Sequence, residues 1–384
     1  MNSPLDKRIP RQLARPTIYI DRAALRHNAE LSRQLAPQAK MLAMVKANGY
    51  GHGAELVAST LSDTADAFGV ARTEEGVALR AAGVEAAIVV MSPLLDEDDF
   101  AALSAHQLTA VISCEVSAQQ QLRDCIASGI DYWVKFDSGM HRLGLRDSKL
   151  SPQQLHGKTL ISHLKSAERS DPSTTDAQLR QFCKQLQDHS IEEGQISLAN
   201  SAALLQASST KERQQHWQNL LPQYRSEQEI IRPGVMLYGA DPLEKANSYS
   251  RQLQPAMTFV APVLTTRQLA VGDSVGYNGR WRAQQPSTIA TIAVGYGDGY
   301  PRHAIDGTPV LINGQRAKLA GTVSMDMITV DITDLLASGA SVNPGDCATL
   351  WGPALPVEEV ARSADSISYQ LFTAISERVA RQTN

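Results

Sequence analysis

Five apolar runs of this chain end in residues that can do chemistry. Lys46 follows MLAMV, Lys135 and Asp137 close DYWVKFD, His163 follows TLIS, Asn200 and Ser201 follow ISLA, and Arg232 with Gly234 lies in EIIRPG. Taken singly these positions say little. A lysine ending an apolar strand more often snorkels to the surface, and an isolated histidine such as His163 is more often a satisfied core residue. Together, two lysines, an arginine, a histidine and small hydroxyl or glycine residues make up an anion-binding pocket with a nucleophilic amine. Such an amine attacks a carbonyl only as the free base. A desolvated site with cationic neighbours lowers its pKa toward that state.

The elements that must hold these residues follow from the apolar pattern. Eight runs recur between about residue 41 and residue 240: MLAMVK, AFGVA, AIVVM, LTAVI, DYWVKFD, TLISH, ISLAN and EIIRPGVMLYG. Amphipathic stretches such as TEEGVALRAAG (73–83) and EVSAQQQLRDCIASG (115–129) separate them. Fully apolar strands alternating with helices need cover on both faces, which predicts a parallel (β/α)8 barrel over residues 15–245. In that architecture the site lies at the C-terminal ends of the strands, where the polar residues fall. Beyond residue 246 the texture changes to short β-branched runs separated by turns, predicting a mostly-β domain over 246–384 that closes with one helix near 366–382. Thr17–Ile20 reads as a further strand that either domain could take up.

The segment V-K-A-N-G-Y-G-H-G at 45–53 resembles the lysine signature of the alanine racemase family. The resemblance implies pyridoxal 5'-phosphate held as a Schiff base on Lys46, with Tyr50 reaching its phosphate. Further segments match in order from about residue 15 to the end. K-F-D-S-G-M-H-R-L-G (135–144) resembles the segment in which a lysine, here Lys135, is often carbamylated and holds an arginine, here Arg142, against the substrate carboxylate. Arginine suits a planar, bidentate grip on a carboxylate, and a carbamate would turn a like-charged neighbour into an attractive one. I-R-P-G-V implies Arg232 facing the pyridine nitrogen, with Gly234 and Val235 offering amides to the phosphate. His163 is implied as the support for that arginine, and Asn200 and Ser201 as further cofactor contacts. A cationic arginine cannot take the ring proton, so the ring is a weaker electron sink, which suits racemisation over transamination.

Racemisation needs two acid/base groups on opposite faces of the α-carbon. The resemblance assigns Lys46 to one face and Tyr277, in G-D-S-V-G-Y-N-G-R, to the other, with Tyr277 supplied by the partner subunit of a homodimer. Tyr296 is implied at the substrate entrance, Met325 and Asp326 against the substrate from the partner subunit, and Tyr369 at the phosphate or the entrance. In G-T-V-S-M-D-M (321–327) the chain departs from the family: Thr322 replaces an arginine, Ser324 a cysteine and Met327 a glutamine, and Lys165 adds a charge after His163. These changes bear on substrate preference, leaving serine or a broader range of amino acids as alternatives to alanine. A pyridoxal-dependent decarboxylase on a similar barrel is the rival reaction. It would bring a glycine-triplet phosphate loop and an acidic residue at the ring nitrogen, where this chain has Arg232. A non-catalytic pyridoxal phosphate carrier would need neither the β-rich region nor Tyr277.

The bulk composition narrows the partner. The 36 basic and 40 acidic residues are mixed along the 384-residue chain, giving a net charge of −4, so no basic face points to nucleic acid or an anionic membrane. A small molecule remains. Cys114, Cys125, Cys183 and Cys347 lack metal-ligand spacing, so no metal is expected and the four read as reduced thiols. The first sixteen residues lack the apolar core of a signal peptide, and no apolar run approaches the length of a membrane span. The expected compartment is the cytoplasm.

Overall fold

The structure, a computed structural model, describes residues 10, 12–146, 150–191, 193–206, 219 and 225–384. Two compact units emerge. One comprises Leu25–Leu237 and Asp241–Leu253; the other comprises Met1–Ala24, Tyr238–Ala240 and Gln254–Asn384. Among the described residues no helix is long and apolar enough to cross a membrane.

The first unit is a closed barrel of eight parallel strands. They are β2 (Lys40–Met44), β3 (Ala67–Val70), β4 (Ala87–Val90), β5 (Thr109–Ile112), β6 (Tyr132–Lys135), β7 (Thr159–Ile161), β8 (Glu193–Ser197) and β9 (Arg225–Ile231), with β9 returning to β2 through Lys40↔Ile230. The strands are short and β5 and β6 are buried along their whole length, as a sheet covered on both faces requires. Outside them lie helices such as Arg22–Leu35, which begins in the other unit, and Ser173–Asp188, whose Leu179, Phe182 and Leu186 are buried. The Phe182 ring meets Phe136 edge-on at 6.2 Å, tying that helix to the end of β6. Helix Ala118–Ser128 stops at Gly129 in the left-handed conformation, φ 66°.

The second unit is built on a sheet in the order β13-β16-β15-β14-β17-β10-β1-β18, with β13 also pairing β10. These strands are β1 (Thr17–Ile20), β10 (Met257–Leu269), β13 (Ser287–Ile292), β14 (Pro309–Ile312), β15 (Gln315–Leu319), β16 (Ile328–Asp331), β17 (Cys347–Trp351) and β18 (Ala380–Thr383), while β11 (Ser274–Val275) and β12 (Trp281–Arg282) pair with each other as a separate ribbon. The thirteen-residue β10 makes the closure. Its first half pairs β1 and β17, its register shifts between Val263 and Thr265, and its second half pairs β13. Thr17–Ile20 therefore belongs to this sheet.

The single helix expected near 366–382 is not formed. The segment instead folds as helix Ser368–Thr373, after helix Val357–Ser363 and a left-handed Asp365 (φ 47°), and then as strand β18. The cause is tertiary. β1 has a second edge to satisfy, and β18 pairs with it in parallel, with the Ala380 amide donating to Pro16 O and the Asn384 amide to Ile20 O.

Candidate active site

Lys46 does not end its strand. β2 stops at Met44, and Lys46 opens a turn in which Ala47, Asn48, Gly49, Tyr50 and Gly51 all have positive φ, 52°, 54°, 61°, 51° and 78°. Left-handed backbone costs an L-residue about 1–2 kcal/mol, so three non-glycine residues there need outside support. Backbone bonds supply some of it: Gly49 N to Val45 O, Gly51 N to Ala47 O and Gly53 N to Asn48 O. Side chains supply the rest, since the Ala54 amide donates to Asn48 Oδ1 at 2.9 Å and the Ala47 amide to Glu75 Oε1 at 2.6 Å. The turn sends the Tyr50 hydroxyl inward against Gly234. A Cβ on Gly234 would stand 2.7 Å from that oxygen, so glycine is what lets the two meet.

Beside Gly234, Ser201 is buried, and its Oγ accepts from the Gly234 amide at 2.8 Å and from the Met236 amide at 3.4 Å. Ser201 begins helix Ser201–Gln206, which Asn200 caps by accepting the Ala203 amide through Oδ1. Val235 begins a 3-10 turn, Val235–Tyr238. The Gly234 amide is thus engaged by Ser201, and the part Gly234 plays at the cradle is to lack a side chain.

Arg232 is buried and, among the described residues, bonds only neutral oxygens. Nη1 donates to Ser197 Oγ and Nη2 to Ser162 O, each at 2.6 Å, with a longer bond to Leu198 O. Burial pushes the guanidinium down to about 9, with Glu229 pulling the other way. It therefore remains a cation near neutrality. His163 feels burial first and then the charges of Arg232, Lys135, Lys46 and Arg142, which hold it down to about 3 as neutral imidazole. Lys135, buried at the end of β6, is pushed down to about 8 by burial and by Arg232, Arg142 and Lys46. Lys46 is lowered too, by burial, Arg142 and Arg232, against an opposing pull from Glu75. These mutual effects place Lys46, Lys135, His163, Arg142 and Arg232 at one mouth of the barrel.

Arg142 is exposed on a loop that Asp137 organises. Asp137 Oδ1 accepts the amides of Gly139, Met140 and His141, each at 3.0 Å, and Oδ2 meets His141 Nδ1 at 3.1 Å. The His141 amide bond is the largest of the influences that hold this carboxyl below its usual range, against burial. Lys165 Nζ donates to Gly139 O at 2.8 Å, so the unexpected lysine anchors the same loop.

The remaining expected residues lie in the β-rich unit. Tyr277 is 68% exposed and opens the turn Tyr277–Gly279 after a left-handed Gly276, φ 71°. Thr322 Oγ1 donates to Tyr277 O at 3.4 Å. Tyr296 and Met325 sit on two loops laced together: Tyr296 N donates to Ser324 O and Gly297 N to Met325 O, and a Cβ on Gly295 would meet Met325 O at 2.2 Å. Ser324 closes its own turn, donating through Oγ to Met327 O and accepting the Met327 amide. Asp326 Oδ1 accepts from Arg378 Nη2 at 2.7 Å, and the same guanidinium pairs with buried Asp298 at 3.3 Å. Tyr369 is partly buried in helix Ser368–Thr373.

Several positioning residues gave little or no signal in the sequence. Glu75, Arg280, Asp298 and Arg378 all act through tertiary contacts. Arg280, for example, bonds Asp306 at 3.0 Å and Gly321 O at 2.7 Å, and so braces the Tyr277 turn. Only Glu75, in the first turn of its helix, carried a local cue as a capping residue.

The barrel mouth fits pyridoxal phosphate. A hydroxyl pair, Tyr50 and Ser201, borders a side-chain-free Gly234 where a phosphate could rest. A persistent cation at Arg232 faces neutral His163, and amines of lowered pKa stand nearby. Among the described residues no cluster of three His, Cys, Asp or Glu could hold a metal ion.

Residues 20–242 match the family described as alanine racemase, N-terminal domain, and residues 256–383 match alanine racemase, C-terminal domain. An alanine racemase of Chromohalobacter salexigens is 42% identical over 96% of this chain and 98% of its own length. The crystal structure of the biosynthetic alanine racemase of Pseudomonas aeruginosa is similar at a TM-score of 0.83, with 37% identity, over 97% of this chain and all of the other. The alanine racemase of Bartonella henselae, whose structure has covalently bound pyridoxal phosphate, is similar at a TM-score of 0.84, with 27% identity, over 97% of this chain and all of the other.

Proposed function

The chain belongs to the alanine racemase family and interconverts L- and D-alanine, and we propose that it does so with two opposed bases, Lys46 and the partner subunit's Tyr277. The observation that carries this reading is the meeting, at one barrel mouth, of an amine of lowered pKa with a buried arginine that, among the described residues, bonds only neutral oxygens. Pyridoxal phosphate, when bound, supplies a ring that stabilises the negative charge left as the α-proton departs. Lys46 Nζ takes or returns that proton on one face; the tyrosine Oη does the reverse on the other. Arg142 grips the substrate carboxylate, and the loop ordered by Asp137 aims it. Arg232, a cation with no proton to take up, and neutral His163 keep a full positive charge from building on the ring. Tyr50, Ser201, Val235 and the open space at Gly234 border the phosphate, with Asn200 fixing the helix that carries Ser201 and Tyr369 approaching the same group. Tyr296 lines the entrance, the partner subunit's Met325 and the partner subunit's Asp326 approach the substrate, and a carbamate on Lys135 holds Arg142.

This reading carries with it a homodimer working in the cytoplasm. The test is direct. Purified protein should convert either enantiomer of alanine to the racemate, and borohydride should fix a pyridoxyl label on Lys46. Release of carbon dioxide in place of racemisation, or label on another lysine, would overturn it. Tyr277→Phe should lower racemisation strongly and equally in both directions, since each direction needs both groups, while exchange of the α-hydrogen with solvent deuterium persists for the enantiomer that Lys46 deprotonates; mild losses with neither enantiomer favoured in exchange would make that tyrosine a packing residue.

A further inference from the structure

We propose that Glu75 is a positioning residue for Lys46: its single carboxylate clamps the backbone that follows β2 to the backbone that follows β3, and so fixes the left-handed turn from which the Lys46 side chain departs. Oε1 accepts the amide of Ala47, the residue directly after Lys46, at 2.6 Å. Oε2 accepts the amides of Ala71 at 2.7 Å and Arg72 at 3.1 Å. No other side chain bonds the Ala47 amide among the described residues. The turn it holds contains three non-glycine residues with φ between 51° and 54°. Backbone in that region persists only where its surroundings over-determine it. Three bonds from N–H groups to a carboxylate are of the stronger, charge-assisted kind.

The same carboxylate is also an anion facing the Lys46 amine, whose other charged or titratable neighbours are Arg142, Arg232, Lys135 and His163. Burial and the two arginines lower Lys46; Glu75 alone raises it. Glu75 therefore fixes where the amine stands and limits how far its pKa falls. Replacing it with glutamine removes the charge and one acceptor, because the amide nitrogen turns its own hydrogens toward a backbone N–H.

The proposal rests on the two-base reading, so racemisation by the parent chain is measured first. A parent without racemase activity ends that reading; an active parent isolates the role of Glu75. Glu75→Gln, checked for an unchanged melting midpoint and cofactor content, should lower kcat about ten- to hundredfold with little change in KM. The acidic limb of its pH–rate profile should move down by about half a pH unit. Hydrogen exchange of a peptide spanning residues 45–53 should quicken about tenfold, with distant peptides unaffected. A folded variant whose kcat, acidic limb and exchange match the parent overturns the proposal. Should Glu75→Gln not fold, Glu75→Asp decides. It keeps the charge but shortens the reach, so the acidic limb should stay in place while kcat falls several-fold and exchange quickens. A kcat and exchange equal to the parent's would overturn it in that case.

Discussion

Lys135 and Lys46 are the same residue type at the same mouth, and their surroundings prepare them for different work. Lys135 is buried, faces Arg232, Arg142 and Lys46, and is pushed down to about 8. At pH 7.5 about a quarter of such an amine is neutral, against about a thousandth for an ordinary lysine. Carbon dioxide adds only to the neutral amine. A carbamate carbon signal from 13C-bicarbonate should therefore appear in the protein and grow as the pH rises through about 8. It should be missing from Lys135→Ala; a signal of equal strength in that variant would place the carbamate elsewhere. His163, held to about 3 by burial and the same cations, should stay neutral throughout that range and contribute no step to the pH–rate profile. The identities of these residues and the strands they follow could be read from the chain, although only Lys135 ends its strand, Lys46 and His163 lying just beyond Met44 and Ile161. Their pKa values could not, because each depends on charges from strands far apart in sequence.

At the scale of elements, the barrel strands were legible because their apolar runs are unbroken, and the β-rich strands because turns punctuate them. What escaped was decided by pairing at a distance: β18 in place of a helix, and the left-handed turn whose clamp sits 28 residues on, at Glu75. The loop bearing Arg142 shows how tightly such elements are closed. Leu145 N donates to Lys135 O, Asp137 N to Leu145 O and Gly144 N to Ser113 O, at 2.8, 3.1 and 2.8 Å. Gly144 has φ 125°, and a Cβ there would lie 2.5 Å from Asp137 N. Gly144→Ala must therefore pry the loop from the end of β6. The expected outcome is a rise in the KM for alanine of about tenfold or more, exceeding the fall in kcat, because Arg142 is displaced while Lys46 is untouched. Cofactor content should be unchanged. Steady-state kinetics in both directions checks this, and a loss confined to kcat would place the loop's role outside carboxylate binding.

For the whole molecule the question is what covers the rim of the β-rich unit. Tyr277, Tyr296, Met325 and Met327 are 68%, 39%, 51% and 43% exposed, on loops held firmly by Arg280, Arg378 and the bonds between residues 295–297 and 324–325. Rigid loops presenting aromatic and thioether side chains to water suit a surface that another chain buries. If the partner subunit's Tyr277 completes the site around Lys46, each active centre draws on two chains, and two different dead variants should repair each other. Lys46→Ala and Tyr277→Ala would each give an inactive homodimer. Mixed, briefly dissociated and reassociated, they should form hybrids with one site carrying both defects and one carrying neither. Random pairing makes about half of the dimers hybrids, so activity should recover to about a quarter of the parent's. A chain that builds its site entirely from its own residues would show no recovery at any mixing ratio. The amount regained, plotted against that ratio, should peak at equal proportions, since hybrids are then most abundant.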